Sequence, residues 1–280
     1  MDYILAFDIG GTNIKYAIID DNFNIINSYI IKTKTKSLLE QIENIINSVD
    51  YKFKTIAIAT TGVVDDIKKE IIHAGNNLNY LKGTNFSYLA KKFNKNIVVE
   101  NDANAAIYAE LINNKHQNIN NIALITFGTG VGGGILINKK LFKGNNFLGG
   151  EVGSLFLTNS NADKELSFSK FNEKIIKKFN FSSKDSEIFL KQYSNNLEFK
   201  NYLNKYLNKV AKFLANLSII YNLEIIKYGG GLSHLDNIFL EKIEKRFYFL
   251  LNKTAFKTQI FLADNKNDSG MLGISYLAKM

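Results

Sequence analysis

Hydrophobic and polar positions alternate in short bursts from the first residues. An apolar run beginning at Tyr3 ends in Asp8, the chain turns at Gly10-Gly11-Thr12, and a second apolar run follows from Ile14 to Ile19. Both arms are β-branched or aromatic and too short for a helix, which predicts strand, tight glycine turn, strand. Phe23–Lys32 reads as a third strand. Across Ser37–Val49 the spacing of Leu38, Leu39, Ile42, Ile45, Ile46 and Val49 predicts a helix, with Ser37 as its N-cap. Thr55–Ala59 is a buried strand leading into Thr60–Asp65, Lys68–Ala74 a short strand and Gly75–Leu78 a polar loop. Asn85–Phe93 reads as a helix and Ile97–Val99 as a strand running into Glu100-Asn101-Asp102. The alanine-rich run Ala103–Leu111 is a helix.

The opening pattern then returns. Asn121–Phe127 is a strand, Gly128-Thr129-Gly130 a turn and Gly133–Ile137 a returning strand, about 115–120 residues after the first copy. The loose repeat predicts two similar lobes facing each other, with boundaries at 1–113 and 114–280 and the closing helix 270–280 packing back on the first. Gly149–Leu157 holds Glu151 in a glycine-rich turn. Ala162–Leu223 is mainly helical, and Leu203, Leu207, Val210, Ala211, Leu214, Leu217 and Ser218 mark a core-facing stripe. Glu224–Tyr228 is a strand ending in Gly229-Gly230-Gly231, Ile238–Leu251 a helix, Ile260–Leu262 a last strand and Met271–Lys279 a closing helix.

Composition narrows the class. A chain of 280 residues, 46% hydrophobic and 22% charged, has ample core for two α/β lobes. No apolar stretch approaches a membrane span, and the chain opens directly on a strand, so neither secretion nor a membrane partner is expected. There are no cysteines, which removes disulfides and thiolate-held zinc and makes a cytoplasmic protein the expectation. The net charge of +9 does not point to nucleic acid, because Arg246 is the sole arginine and the lysines are scattered among Asn and Ile.

The glycine turns carry the candidate chemistry. The first lacks P-loop and dinucleotide-loop spacing, and a strand rather than a helix follows it. What remains is a hairpin turn whose backbone can approach a polyphosphate closely, or an ordinary turn. Asp102 stands where a strand end becomes a helix start, a place suited to a catalytic carboxylate and equally to an N-cap. Glu151 could accept two hydrogen bonds from a vicinal diol, or be a solvated turn residue. His73, His116 and His234 are far apart and lack metal-ligand spacing.

Four stretches now stand in order: D-I-G-G-T, E-N-D-A-N-A-A, F-G-T-G-V-G-G-G and Y-G-G-G-L-S. Together they resemble the ROK family of sugar kinases over nearly the whole chain. The resemblance implies a two-lobed actin-like (hexokinase/ROK-type) α/β ATPase fold, each lobe a mixed sheet flanked by helices. It implies ATP and Mg²⁺ as cofactors, with Asp8 near Mg²⁺ through water. Asp8, Gly10, Gly11, Thr12 and Lys15 would form a first phosphate site and Gly128, Thr129 and Gly130 a second, while Gly229, Gly230 and Gly231 would line the adenosine pocket. Asp102 would be the general base; Gly62, Asn77, Asn101, Asp102, Glu151 and Ser154 would meet the sugar. Family members often carry G-E-x-G-H and a zinc-binding cysteine cluster, whereas here Ser154 replaces that histidine and cysteine is absent. The resemblance is therefore to the zinc-less branch, which includes N-acetylmannosamine and β-glucoside kinases. Lys82–Phe86 and the K-N-D-S-G-M-L-G tail lean towards an amino sugar, E-N-D-A-N also suits glucokinase-like members, and a homodimer is implied. The family also includes repressors with an N-terminal helix-turn-helix. The phosphate motif starts within about ten residues of Met1, so none is expected here.

Overall fold

The computed structural model describes residues 2–112, 118–181 and 186–280, apart from the side chains of Asn76, Asn77, Ser186 and Lys266. The chain divides into two compact units. One comprises Met1–Gln117, Lys143–Gly149 and Asp264–Met280, the other Asn118–Phe142 and Gly150–Ala263.

The first unit contains β1 (Tyr3–Ile9), β2 (Asn13–Ile19), β3 (Ile25–Lys32), α1 (Leu38–Ser48), β4 (Phe53–Thr60), β5 (Val63–Asp65), β6 (Glu70–His73), α2 (Tyr88–Phe93), β7 (Asn96–Asn101) and α3 (Asp102–Ala109). Its sheet has the order β3-β2-β1-β4-β7. The hairpin strands β1, β2 and β3 are antiparallel, while β1, β4 and β7 run parallel. Alternation along the strands sorts residues by size. Leu5, Phe7, Ile9, Ile56 and Ile58 join the α1 stripe of Leu38, Ile42, Ile45 and Ile46 on one face. Ile4, Ala6, Ala17, Ala57 and Ala59 line the other, where Ala105 of α3 and Met271 and Ile274 of the closing helix, Ser269–Leu277, pack. Small side chains let those two helices come close: a Cβ at Gly273 would collide with the carbonyl of Ala105.

Local chemistry moves several boundaries. Phe23 has φ 63° and belongs to the β2–β3 turn, so the third strand starts only at Ile25. Asn85 bridges to Glu70 and takes the Ser87 N–H on Oδ1, which delays α2 to Tyr88. Ser37 precedes α1 but its hydroxyl makes no cap bond. Instead, buried Gln41 accepts from the Lys34 N–H and donates to the Lys32 carbonyl, both at 2.8 Å. The expected polar loop after Gly75 is a 3₁₀ turn, Asn76–Leu81.

The second unit contains β8 (Ile122–Phe127), β9 (Val131–Ile137), β10 (Lys140–Leu141), α4 (Ala162–Glu165), α5 (Phe168–Phe179), α6 (Ser186–Asn195), α7 (Leu197–Tyr221), β11 (Ile225–Gly229), α8 (Asn237–Leu251) and β12 (Gln259–Leu262). Its sheet, β10-β9-β8-β11-β12, repeats the order and directions of the first, with an antiparallel hairpin followed by parallel partners. The repeat sensed in the two glycine–threonine turns is thus a repeat of whole-sheet topology. The stripe on α7 packs with Phe239, Ile243 and Phe247 of α8 and with Ile125, Phe127, Ile226 and Tyr228 of the sheet. The long helical run is broken at Ser167 and Asn196, whose side chains cap the helices that follow.

Candidate active site

In the first unit the parallel strands bring three chain exits to one edge. The register aligns Asp8 with Ala59 and Ala59 with Glu100, and Ile9 with Thr60 and Thr60 with Asn101. Asp8 and Glu100 are therefore two strand spacings apart, roughly 10 Å between backbones. Gly10, Thr61-Gly62 and Asp102 all leave at the carboxyl ends of these strands, where open parallel sheets place their ligands.

At the first exit, Gly10 N–H donates to Asn13 O at 2.9 Å and closes the turn. Thr33 braces it, its hydroxyl donating to Gly10 O (2.8 Å) and its N–H to Thr12 O (3.0 Å), while the Tyr80 hydroxyl donates to Gly11 O at 3.2 Å. A side chain at Gly11 would collide with Leu78. With all three carbonyls already accepting, the turn offers a ligand mainly its N–H groups, the donors a phosphate needs. Asp8 is half-buried beside this turn. Burial pushes its pKa up, Lys15 opposite it on β2 pulls it down, and the charge of Asp268 raises it again. A Cβ at Gly270 would stand 3.0 Å from the Asp8 carboxyl carbon, so glycine keeps this carboxylate accessible. The ammonium of Lys15 donates to Asn267 O at 2.8 Å. Mg²⁺ is typically held by one or two carboxylates with the rest of its shell from water and phosphate oxygens. Asp8 with Asp268 nearby fits that donor set.

At the other two exits, Gly62 (φ +100°) has no room for a side chain, because a Cβ would lie 2.7 Å from His73 O. Its carbonyl accepts from Asn101 Nδ2 at 2.9 Å. Asn101 Oδ1 takes the N–H groups of Ala103 (2.9 Å) and Asn104 (3.0 Å). The cap of α3 is thus Asn101, not Asp102, which occupies the first helical position with Oδ1 2.8 Å from Ala103 N. Capping and the Gly62 bond together engage Asn101 Oδ1 and one of its two amide protons. Asn77 lies in the 3₁₀ turn, and its side chain is outside the described set.

In the second unit, Gly128 N–H donates to Gly130 O at 2.9 Å, and the Ser167 hydroxyl lies 3.0 and 2.9 Å from Gly128 O and Thr129 O. Asp163 Oδ1 accepts from Val131 N at 2.7 Å, and a Cβ on Gly130 would lie 2.8 Å from it. Gly230 (φ +77°) presses on the end of β8, where its Cβ would meet Phe127 O at 2.8 Å. The two glycine segments of this unit therefore pack on each other. Glu151 and Ser154 are exposed in and before a 3₁₀ turn, with Ser154 N–H donating to Glu151 O at 3.1 Å.

Sequence reasoning missed Thr33, Asp163, Ser167, Glu100 and Lys143. Ser167 was detectable as a helix cap, since it precedes an amphipathic run; Thr33, Asp163 and Lys143 act across folds of the chain and leave no local signal, while Glu100 stood in the E-N-D-A-N stretch without a role. His73 and His234 are exposed, and His116 lies outside the described residues. Among the described residues no group of three or more His, Asp or Glu side chains could hold a metal by itself.

Paired sheets of this topology, with glycine turns at the strand ends, define the actin-like α/β ATPase fold. The ROK family profile matches residues 4–280, and the chain belongs to that family. It is 28% identical over 302 residues to the N-acetylmannosamine kinase of Vibrio cholerae serotype O1, covering 98% of this chain and 99% of that one. A ROK family protein from Streptococcus pneumoniae TIGR4 in complex with sucrose superposes with a TM-score of 0.85 at 23% identity, covering 99% and 98% of the two chains. A ROK family glucokinase from Streptomyces griseus, in complex with glucose and AMPPNP, gives 0.81 at 21% identity, with 99% of each chain covered.

Proposed function

We propose that the chain is a sugar kinase that transfers the γ-phosphoryl group of ATP to the 6-hydroxyl of a hexose or N-acetylhexosamine. N-Acetylmannosamine and glucose are the first candidates. The observation that carries this reading is the corner at Asn101-Asp102. Asn101 supplies the helix cap, so capping does not account for Asp102, which stands on the same sheet edge as Asp8. Asp102 would accept the proton of the attacking hydroxyl and aim its oxygen. Asn101, Gly62, Asn77, Glu151 and Ser154 would meet the sugar. The turn Gly10–Thr12, with Lys15, and the turn Gly128–Gly130 would hold phosphates through backbone N–H groups, and Gly229–Gly231 the adenosine. Mg²⁺, when bound with ATP, would neutralise charge on the phosphates. Asp8, with Asp268, would hold it through water.

Membership of the family and relatives named as kinases of N-acetylmannosamine and glucose support this reading. We further propose a cytoplasmic homodimer working on small molecules, without nucleic acid, membrane or zinc. Among the described residues no helix is long and apolar enough to cross a membrane. The deciding experiment is a coupled ADP-release assay across glucose, N-acetylmannosamine, N-acetylglucosamine, mannose, fructose and β-glucosides. Turnover on fructose or a β-glucoside would move the substrate within the family. Sugar binding without ADP release would instead make the chain a sugar-sensing regulator.

A further inference from the structure

A charge cluster built on the buried Glu100, next to Asp102, has no part in the roles given so far. Glu100, at the end of β7, is 1% exposed. Lys143 begins the Lys143–Gly149 segment that joins the first unit, and its ammonium lies 2.6 Å from Glu100 Oε2 and 2.7 Å from Asp66 Oδ1. The segment is closed by Gly149 N–H donating to Lys143 O at 2.7 Å, and the ammonium also sits 5.8 Å from the centre of the Phe147 ring. On its other oxygen, Glu100 accepts from the Asn101 N–H (2.9 Å) and from Asn104 Nδ2 (3.3 Å). Asn101 in turn caps α3. Polar contacts thus run unbroken from Lys143 through Glu100 to the residues on either side of Asp102.

Removing one partner of a buried ion pair leaves the other charge unpaired, and it must protonate or turn towards water. For Glu100 either response alters the acceptor that fixes Asn101 and Asn104. We propose that Lys143 is a positioning residue: its ammonium holds the Glu100 carboxylate, and that carboxylate sets the strand-to-helix corner that presents Asp102. The consequence for turnover rests on the sugar-kinase reading; the structural link does not.

Two measurements test it together. In Lys143→Met, kcat should fall about 10–100-fold while KM for ATP stays within about twofold, because misaiming the base costs turnover and not nucleotide affinity. Hydrogen exchange in peptides spanning 100–108 should quicken. In the double variant Glu100→Gln/Lys143→Met, the amide oxygen still accepts from Asn101 and no buried charge is orphaned, because Asp66 is partly exposed. Both kcat and exchange should return most of the way to the parent. Unchanged exchange in Lys143→Met, parental kcat in that variant, or a double variant no better than the single one would each overturn the proposal. Should none of the sugars make the parent chain release ADP, the kinase reading fails, and the exchange measurement alone decides whether Lys143 holds the corner.

Discussion

Asp102 and Asp8 are both aspartates on one sheet edge, yet their surroundings differ. Asp102 opens a helix whose cap is made by its neighbour, and as the proposed base it is needed for turnover. Asp102→Asn should lower kcat by about 10²–10⁴-fold. Calorimetric titration should find ATP affinity little changed. Asp8 is held against the closing helix, where burial disfavours its charge. Its raised pKa means the folded state keeps this proton to higher pH than the unfolded chain does, so stability is lost as pH rises through the window above the ordinary aspartate value. Asp8→Asn removes that cost. Its Tm should therefore exceed the parent's at pH 7, with the difference closing as pH falls towards about 4, while Mg²⁺-dependent ADP release collapses. A lower Tm at pH 7 would contradict the burial argument.

At the scale of elements, glycine and alanine do more than punctuate the chain. The contact between the closing helix and α3 depends on Gly273 lying against the Ala105 carbonyl, with Ala109 N also close. Because the obstacle is backbone, a single methyl cannot be absorbed by a rotamer change. Gly273→Ala should lose about 3 kcal/mol or more in urea unfolding, at or above the upper end of ordinary overpacking. The hairpins, the stripe on α1 and the stripe on α7 were legible because each depends on a period of two or 3.6 residues within one segment. The starts of β3 and α2 were not. Phe23 adopts a left-handed turn, and Asn85 is drawn into a bridge with Glu70, a residue the local pattern of Asn85–Phe93 does not contain.

For the whole molecule, the absence of cysteine leaves packing and polar contacts to hold the fold. Zinc-selective chelators should change neither Tm nor activity, whereas removing Mg²⁺ should abolish ADP release and leave the Tm of the nucleotide-free protein in place. Loss of activity with a zinc-selective chelator alone would overturn the zinc-less reading. The charge of +9 sits mostly on scattered lysines, but Lys143 and Lys15 show that individual members of that population are placed. Nothing in composition separates them from their solvated counterparts.

The sequence by itself determined the family, the two strand–turn–strand openings and the positions of Asp8, Asp102 and the glycine turns. These are local matters: runs of apolar side chains choose strands, and a strand must end in a residue and a turn that the sequence spells out. Only the tertiary structure decided that Asn101 rather than Asp102 caps α3, that Asp163 braces Val131 from 32 residues away, and that Lys143 meets Glu100 across 43. Such pairings depend on which strands become neighbours. A cap position is a matter of φ, ψ and one hydrogen bond, and either of two adjacent polar residues could have filled it.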